Sequence, residues 1–158
     1  MDKPSIVLNP KYMPIATSDS RYYIVTGGRG SGKSYSITTL LTMLTCEAGH
    51  TILFTRYTMV SALISIIPEF LDKIETMGLQ EQFSVTKNEI VNIQTGSKIL
   101  FRGIKTSSGD QSANLKSLQG ITTWIIEEAE ELVDENVFDK IDLSVRQKGI
   151  QNRVIIAM

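Results

Sequence analysis

The amino-acid sequence predicts an α/β fold with a mainly parallel central sheet flanked by helices. β-prone and helical segments alternate through the first half of the chain, and a glycine-rich loop joins the first strand to the first helix. Short β-prone segments separated by tight turns follow near residues 82–103, which adds an antiparallel hairpin segment. Alternating strands and helices are typical of parallel sheets, because each crossover helix returns the chain to the same end of the sheet.

The alternating half contains two strands and two helices. Residues 21–27 (RYYIVTG) and 50–56 (HTILFTR) read as short buried strands. The residues between them predict a helix that ends at Gly49, since glycine readily takes the left-handed conformation found at helix C-termini. Residues 58–78 predict a second helix that Pro68 breaks or kinks, because proline lacks the N–H that a helix interior needs.

The second half of the chain combines hairpins with two further buried strands. Residues 82–103 contain three short strand candidates separated by Lys-Asn and Thr-Gly turns. The polar segment at 104–120 predicts a loop with a short helical piece. Residues 121–126 (ITTWII) and 152–158 (NRVIIAM) read as buried strands, and the acidic segment between them reads as mostly helical.

Length and composition predict one domain with a packed core. The chain has 158 residues, and its 42% hydrophobic and 21% charged residues favour a core over disorder. Because the chain stops inside its last predicted strand, we expect residues 1–158 to be one domain that is truncated at its C-terminus.

Charge and cysteine content narrow the functional classes. The net charge of −1 gives no overall reason to expect nucleic acid or an anionic membrane as a partner, although a local basic patch is compatible with it. The single cysteine, Cys46, excludes an internal disulfide. The sequence begins without a basic-then-apolar leader, and its longest apolar stretch, residues 59–67, is too short to span a membrane. We therefore expect a soluble protein in a reducing, intracellular compartment.

The loop between the first strand and the first helix has the pattern of a phosphate-binding loop. Gly27, Gly32, Lys33 and Ser34 occupy every fixed position of G-x-x-x-x-G-K-S. Glycines let successive N–H groups point at one anion, and the N-terminus of the following helix adds to the attraction. The lysine can reach the β- and γ-phosphates of a nucleotide, and the serine can ligate Mg²⁺. The predicted nucleotide-binding residues are Gly27, Gly28, Arg29, Gly30, Ser31, Gly32, Lys33, Ser34 and Tyr35.

Other interpretations of this loop fit less well. The first alternative is a glycine-rich turn in which the lysine has no function. The strand before the loop and the helix after it favour phosphate binding instead, because a phosphate-binding loop requires both. The dinucleotide pattern G-x-G-x-x-G does not fit, because Gly28, Gly30 and Gly32 are two residues apart. Arg29 is not a fixed position of the pattern, and it can lie against a phosphate, sense it, or project into solvent.

The strand predicted at 121–126 ends in two consecutive glutamates, Glu127 and Glu128. A phosphate-binding loop needs an acidic residue at the end of a neighbouring strand to hold Mg²⁺. In P-loop ATPases of the additional-strand class, the first acid serves the metal and the second orients the attacking water. Consecutive side chains at a strand end diverge, so that each can take one of these roles. The alternative is that both glutamates merely open an acidic helix, where negative charge suits the N-terminus.

Together these motifs resemble the ATPase domain of tailed-bacteriophage terminase large subunits, which are DNA-packaging motors. The resemblance rests on GGRGSGKS, on LFTR after the first helix and on SLQGITTWIIEEAEEL, and it covers residues 21–158. It implies a catalytic-glutamate P-loop ATPase that hydrolyses ATP with Mg²⁺ and translocates double-stranded DNA into a prohead. The family's large subunits also carry a C-terminal nuclease domain. We expect that domain to be absent from residues 1–158, so nuclease activity is not expected from them.

The resemblance assigns roles to individual residues. Lys33 and Ser34 match the phosphate-loop lysine and the Mg²⁺ ligand. Glu127 matches the metal-associated acid and Glu128 the catalytic glutamate. Arg29 matches an arginine that is proposed to sense or stabilise the γ-phosphate. The implied catalytic residues are therefore Glu128, Lys33 and Arg29, and the implied metal ligands are Ser34 and Glu127.

The same resemblance implies partners and a location. Double-stranded DNA is the expected cargo, and in full-length members the small terminase subunit and the portal are further partners. A homo-oligomeric ring on the prohead, in the host cell cytoplasm and away from membranes, is expected. Two alternatives stay open, namely a helicase-like P-loop remodeller and a nucleotide-binding fragment without turnover.

Several basic and aromatic residues are weaker candidates. Arg56 ends the second strand near the expected ligand-binding edge, where it can touch phosphate or DNA or simply be solvated. Lys116 and Arg146 are candidates for a residue that reaches a neighbouring subunit's nucleotide. The aromatic candidates for stacking on adenine are Tyr12, Tyr22 and Tyr23, for which core packing is the competing interpretation.

Overall fold

The described residues form one seven-stranded sheet with helices packed against it. The computed structural model describes residues 6–58, 60, 62–104, 118–132 and 134–158. The strands are β1 (Tyr22–Val25), β2 (Thr51–Arg56), β3 (Phe83–Val85), β4 (Glu89–Asn92), β5 (Lys98–Gly103), β6 (Thr123–Ile126) and β7 (Arg153–Ala157). The described α-helices are α1 (Pro14–Thr17), α2 (Lys33–Thr45), α3 (Ile67–Thr76) and α4 (Glu135–Asp142). Shorter helical turns lie at Pro10–Tyr12, Ala62–Ile66, Gln80–Gln82 and Ala129–Glu131.

The strand order is β1-β7-β6-β2-β5-β4-β3. The first five strands in this order are mutually parallel, and β4 and β3 complete the sheet by antiparallel pairing. The predicted mainly parallel sheet with an antiparallel hairpin segment near 82–103 is therefore confirmed. β7 pairs with β1 on one side and with β6 on the other. It is thus inserted between the strand that leads into the glycine-rich loop and the strand that leads into the two glutamates, as the additional-strand class requires.

Each face of the sheet buries its own apolar cluster. On the face covered by α2 and α3, the rings of Phe54, Phe70 and Phe101 pack with centroids 5.6–5.9 Å apart. On the other face, the ring of Trp124 lies 5.2 Å from that of Phe138 in α4. Neighbouring residues of β2 enter opposite clusters, as the period of a strand requires.

The predicted helix ends differ from the observed ones. α2 ends at Thr45 rather than at Gly49, because the N–H of Cys46 turns back to the carbonyls of Met43 and Leu44 and tightens the last turn. Gly49, with φ +92°, serves the turn into β2 instead. Pro68 does not interrupt the helical backbone: the π-helical turn Ala62–Ile66 runs directly into α3, and the proline lies in the first turn of α3, where its missing N–H costs little.

The acidic segment after β6 contains less α-helix than the sequence predicts. A single 3₁₀ turn, Ala129–Glu131, follows the strand, and α4 begins only at Glu135, with Asp134 as its capping residue. The loop predicted at 104–120 falls mainly on residues 105–117, which lie outside the described residues. Within the part of the chain that the structure describes, no helix has the length and apolar character needed to cross a bilayer.

The hydroxyl of Thr55 joins β2 to β6 inside the core. It accepts a hydrogen bond from Trp124 Nε1 at 2.9 Å and donates one to Ile125 O at 2.7 Å, and Thr55 and Trp124 are fully buried. Thr55 directly precedes Arg56 at the end of β2, and Ile125 lies two residues before Glu127 at the end of β6. The hydroxyl therefore fixes the two strand ends from which Arg56 and Glu127 extend.

We expect Thr55→Val to lower the free energy of unfolding by about 1–3 kcal/mol, because a buried indole N–H loses its acceptor. Urea denaturation measures the loss. Thr55→Ser keeps the hydroxyl and serves as the matched control, with a smaller loss expected. Equal stability of the valine variant and the parent would contradict the prediction.

Candidate functional site

The glycine-rich loop curls tightly between β1 and α2. The N–H of Ser31 donates to Gly28 O at 3.2 Å, and α2 begins at Lys33 directly after the loop. Gly30 and Gly32 have φ values of +77° and +81°, in the left-handed region where a side chain would be strained. The chain therefore needs glycine at these positions to place the N-terminus of α2 at the mouth of the loop.

The start of the loop is supported from two sides. A Cβ at Gly27 would lie 2.8 Å from Ser31 Oγ, so a larger residue there would have to displace the Ser31 side chain. Tyr12, which is buried, donates from its hydroxyl to Ser31 O at 3.0 Å. Tyr12 thus supports the loop, which is a different role from the adenine stacking considered for it.

The loop lines a cavity of about 600 Å³ at the carboxyl ends of the parallel strands. This edge of the sheet is where open α/β folds bind their ligands. The structure brings all the predicted nucleotide-binding, catalytic and metal-ligand residues to this cavity: Gly27, Gly28, Arg29, Gly30, Ser31, Gly32, Lys33, Ser34, Tyr35, Glu127 and Glu128.

Lys33 turns its ammonium back over the loop. Its Nζ donates to Gly27 O at 2.5 Å and to the carbonyl oxygen of Met158, which follows β7. Lys33 also lines the cavity, so it places a positive charge beside the phosphate-binding loop. An anion entering the loop would meet this charge together with the N-terminus of α2.

Ser34 and Glu127 form the oxygen pair expected of a magnesium site. Ser34 Oγ donates to Glu127 Oε1 at 3.2 Å, and the glutamate is only 9% exposed. Hydroxyl and carboxylate oxygens are hard donors of the kind that Mg²⁺ takes in phosphate-binding sites, usually with phosphate oxygens and water completing the shell. The donor set therefore fits Mg²⁺.

Glu128 diverges from Glu127, as consecutive strand-end residues should. Its side chain is 44% exposed and lines the same cavity. Its backbone has φ 53° and ψ 49°, and it is the non-glycine residue with positive φ among those described. This conformation costs a side-chain-bearing residue about 1–2 kcal/mol. Such strain is often found at functional sites, where surrounding contacts hold it in place.

Arg56 connects the two glutamates. Its Nε donates to Glu127 Oε2 at 2.5 Å, its Nη2 lies 3.5 Å from Glu128 Oε1, and its Nη1 donates to Ser65 Oγ at 2.9 Å. The side chain is 13% exposed, so it is not the solvated strand-end arginine considered from the sequence. The signal that could have identified this role is the strand order, since β2 lies beside β6 and both end at this cavity.

Glu69 is a cavity residue that the sequence did not reveal. It lies in the first turn of α3 and lines the phosphate-loop cavity, with a buried Oε2 that has no hydrogen-bond partner among the described residues. Burial raises the pKa of its carboxyl above the ordinary value; the charge of Glu127 adds to the increase, and Lys73 and Arg56 oppose it. Only the packing of α3 against α2 brings it there.

The two candidates for reaching a neighbouring subunit's nucleotide are not among the described residues that line the cavity. Arg146 is exposed beyond α4. Lys116 lies outside the described residues. Tyr22 and Tyr23 do not line the cavity, since their hydroxyls contact Asp142 and Ser18 respectively.

The strained backbone at Glu128 predicts an inverted stability order for two substitutions. Glu128→Gly and Glu128→Ala both remove the carboxylate, but only glycine relieves the positive φ. We expect the glycine variant to be the more stable by about 1 kcal/mol, although glycine is ordinarily the less stable of the two. Urea unfolding of the two variants checks this, and an alanine variant at least as stable as the glycine variant would refute it.

The raised pKa of Glu69 predicts how stability varies with pH. The native state holds this proton more tightly than the unfolded state, so stability falls as pH rises from the unfolded pKa through the higher native pKa. We expect Glu69→Gln to raise the free energy of unfolding at pH 7, and the gain to disappear as pH falls below the unfolded pKa. Denaturation at several pH values measures it. A gain independent of pH would show that ionisation is not its cause.

The chain matches the sequence model of one known protein family over most of its length. The sequence model of the family described as "Phage terminase large subunit" matches residues 19–158. A search of curated protein sequences found no match.

Solved structures show the same fold at low sequence identity. The large terminase of a thermophilic bacteriophage matches with a TM-score of 0.71 and 13% identity over 94% of this chain and 38% of that chain. The same terminase has also been solved in complex with ADP, with a TM-score of 0.70. The Thermus phage P74-26 large terminase ATPase domain matches with a TM-score of 0.69 and 18% identity over 99% of this chain and 70% of that chain.

A packaging motor is also similar. The bacteriophage phi29 viral genome packaging motor assembly matches with a TM-score of 0.65 and 14% identity, over 97% of this chain and 47% of that chain. The chain thus spans 38% of the thermophilic-phage terminase, and less than half of the phi29 chain that it matches. Because the family model covers most of the sequence, the protein belongs to the phage terminase large subunit family.

Proposed function

We propose that residues 1–158 form the ATP-hydrolysing motor domain of a terminase large subunit, which powers translocation of double-stranded DNA into a prohead. One observation carries the proposal: the phosphate-binding loop and the consecutive glutamates Glu127 and Glu128 line one cavity. The ADP complex of the thermophilic-phage terminase and the likeness to the phi29 packaging motor support it.

The first step is nucleotide binding. The backbone N–H groups of the loop and the N-terminus of α2 receive the phosphates, and Lys33 neutralises the β- and γ-phosphates. Ser34 and Glu127 are the residues that would hold Mg²⁺, which when bound draws charge from the phosphate oxygens. Arg29 lines the same cavity and adds a cation for the γ-phosphate.

The second step is hydrolysis. Ser34 Oγ lies at hydrogen-bond distance from Glu127, which favours a role for Glu127 in the metal site. Glu128 is therefore the carboxylate that aligns a water molecule with the γ-phosphorus and accepts its proton. The water oxygen bonds to phosphorus as the bond to the β–γ bridging oxygen breaks, which gives ADP and phosphate. Loop donors and Lys33 stabilise the charge that moves onto the departing oxygens.

Partners and location follow from the motor role. Double-stranded DNA is the cargo, and the small terminase subunit and the portal are the proposed contacts on a prohead-bound ring in the host cytoplasm. The likeness to a chain of the phi29 motor assembly supports work within a multisubunit machine.

We expect Glu128→Gln to keep the affinity for ATP and to reduce its hydrolysis by about a hundredfold or more, because the proton acceptor is lost while the loop is intact. Equilibrium binding and phosphate release on the same preparation measure both properties. Lys33→Ala is the comparison variant, and it should weaken nucleotide binding by about tenfold or more.

The two variants separate the roles of their residues. Hydrolysis by the Glu128→Gln variant at the parent rate would remove that residue from the reaction. Unchanged nucleotide affinity in the Lys33→Ala variant would argue against phosphate binding by the loop.

A further inference from the structure

We infer that Tyr35 is the platform on which the nucleobase stacks, and that Lys73 holds its ring in position. The inference rests on the proposed nucleotide binding and names the part of the nucleotide that this end of the cavity recognises. It replaces the three tyrosines that the sequence suggested for stacking on adenine, because none of them lines the cavity.

The position of Tyr35 suits this role. It is the third residue of α2, directly after Ser34, and its side chain lines the phosphate-loop cavity with 40% of its surface exposed. Among the described residues that line this cavity, it is the one with an aromatic ring. A nucleotide held by its phosphates at the loop must place its ribose and base beyond them, within reach of the first turn of α2.

Lys73 holds the ring of Tyr35 in position through a cation–π contact. Its Nζ lies 4.0 Å from the centroid of the Tyr35 ring, and the lysine is only 6% exposed. Its ammonium also contacts Asp72 Oδ2 at 3.2 Å, which balances the charge. Cation–π contacts are stronger when the cation is desolvated, so this contact fixes one face of the ring. α3 thus supplies both Glu69 and, one turn later, the residue that positions Tyr35.

A ring that is already ordered makes an efficient stacking surface. Stacking then costs little additional side-chain entropy, and the π-face accepts any nucleobase. Tyr35 should therefore contribute affinity for the base without strong discrimination between adenine and guanine. The phosphates do not touch the ring in this arrangement, so a ligand that lacks a base should not depend on it.

The test compares a nucleotide with a base-free ligand. We would measure, with Mg²⁺ present, the binding of a non-hydrolysable ATP analogue, the matching GTP analogue and inorganic tripolyphosphate to the parent and to Tyr35→Leu. We expect Tyr35→Leu to weaken both nucleotide analogues by about tenfold and to leave tripolyphosphate binding unchanged. Tyr35→Phe keeps the ring and is the matched control, with nucleotide affinity close to that of the parent.

The outcomes are distinct. Equal nucleotide affinity in Tyr35→Leu and the parent would overturn the inference, and so would a proportional loss of tripolyphosphate, which would show that Tyr35 only supports the loop. A parent protein that binds tripolyphosphate no better than a Lys33→Ala variant would instead overturn the proposed function itself.

The positioning role of Lys73 is tested separately. Lys73→Met removes the cation and should weaken the nucleotide analogues several-fold without affecting tripolyphosphate, whereas Lys73→Arg keeps a cation over the ring and should restore the affinity. Unchanged nucleotide binding in Lys73→Met would show that Lys73 does not position the ring.

Discussion

A largely buried ion pair between Arg56 and Glu127 holds the carboxyl ends of β2 and β6 together, and the rest of the site is arranged around it. The two side chains are 13% and 10% exposed, so their charges interact with little screening by solvent. The pair aims Glu127 at Ser34, which ties the sheet to the phosphate-binding loop, and it brings Arg56 to 3.5 Å from Glu128. Removing either partner would leave an uncompensated buried charge, which is costly to the folded state.

Much of this site could be predicted from the sequence because its residues form short continuous segments. The loop from Gly27 to Ser34 needs glycines at left-handed positions, and such positions can be recognised within eight residues. The two glutamates are adjacent in sequence, so their divergence at a strand end follows from strand geometry alone. The sheet could also be predicted, since each of its central strands is a short apolar run with turn residues on either side.

The features that sequence reasoning missed depend on packing between distant segments. Arg56 meets Glu127 across 71 residues, and this contact requires β2 to lie beside β6. Glu69 reaches the cavity only because α3 packs against α2. The composition of the acidic segment after β6 predicts a mostly helical segment. The left-handed backbone at Glu128 prevents a helix from starting there, and α4 begins only after its capping residue, Asp134. Tertiary contacts decide these cases over local propensity.

The position of β7 has a consequence for how the molecule is made. This strand is the last of the seven described strands along the sequence, yet it lies between β1 and β6 in the sheet. Among the described residues β1 pairs with β7, so it joins β6 and the strands beyond it only once residues 153–157 are available. During synthesis the phosphate-binding loop is translated early, but its supporting strand must wait for more than a hundred further residues. Such non-local pairing slows folding, and the unpaired edges of β1 and β6 remain available to chaperones in the meantime.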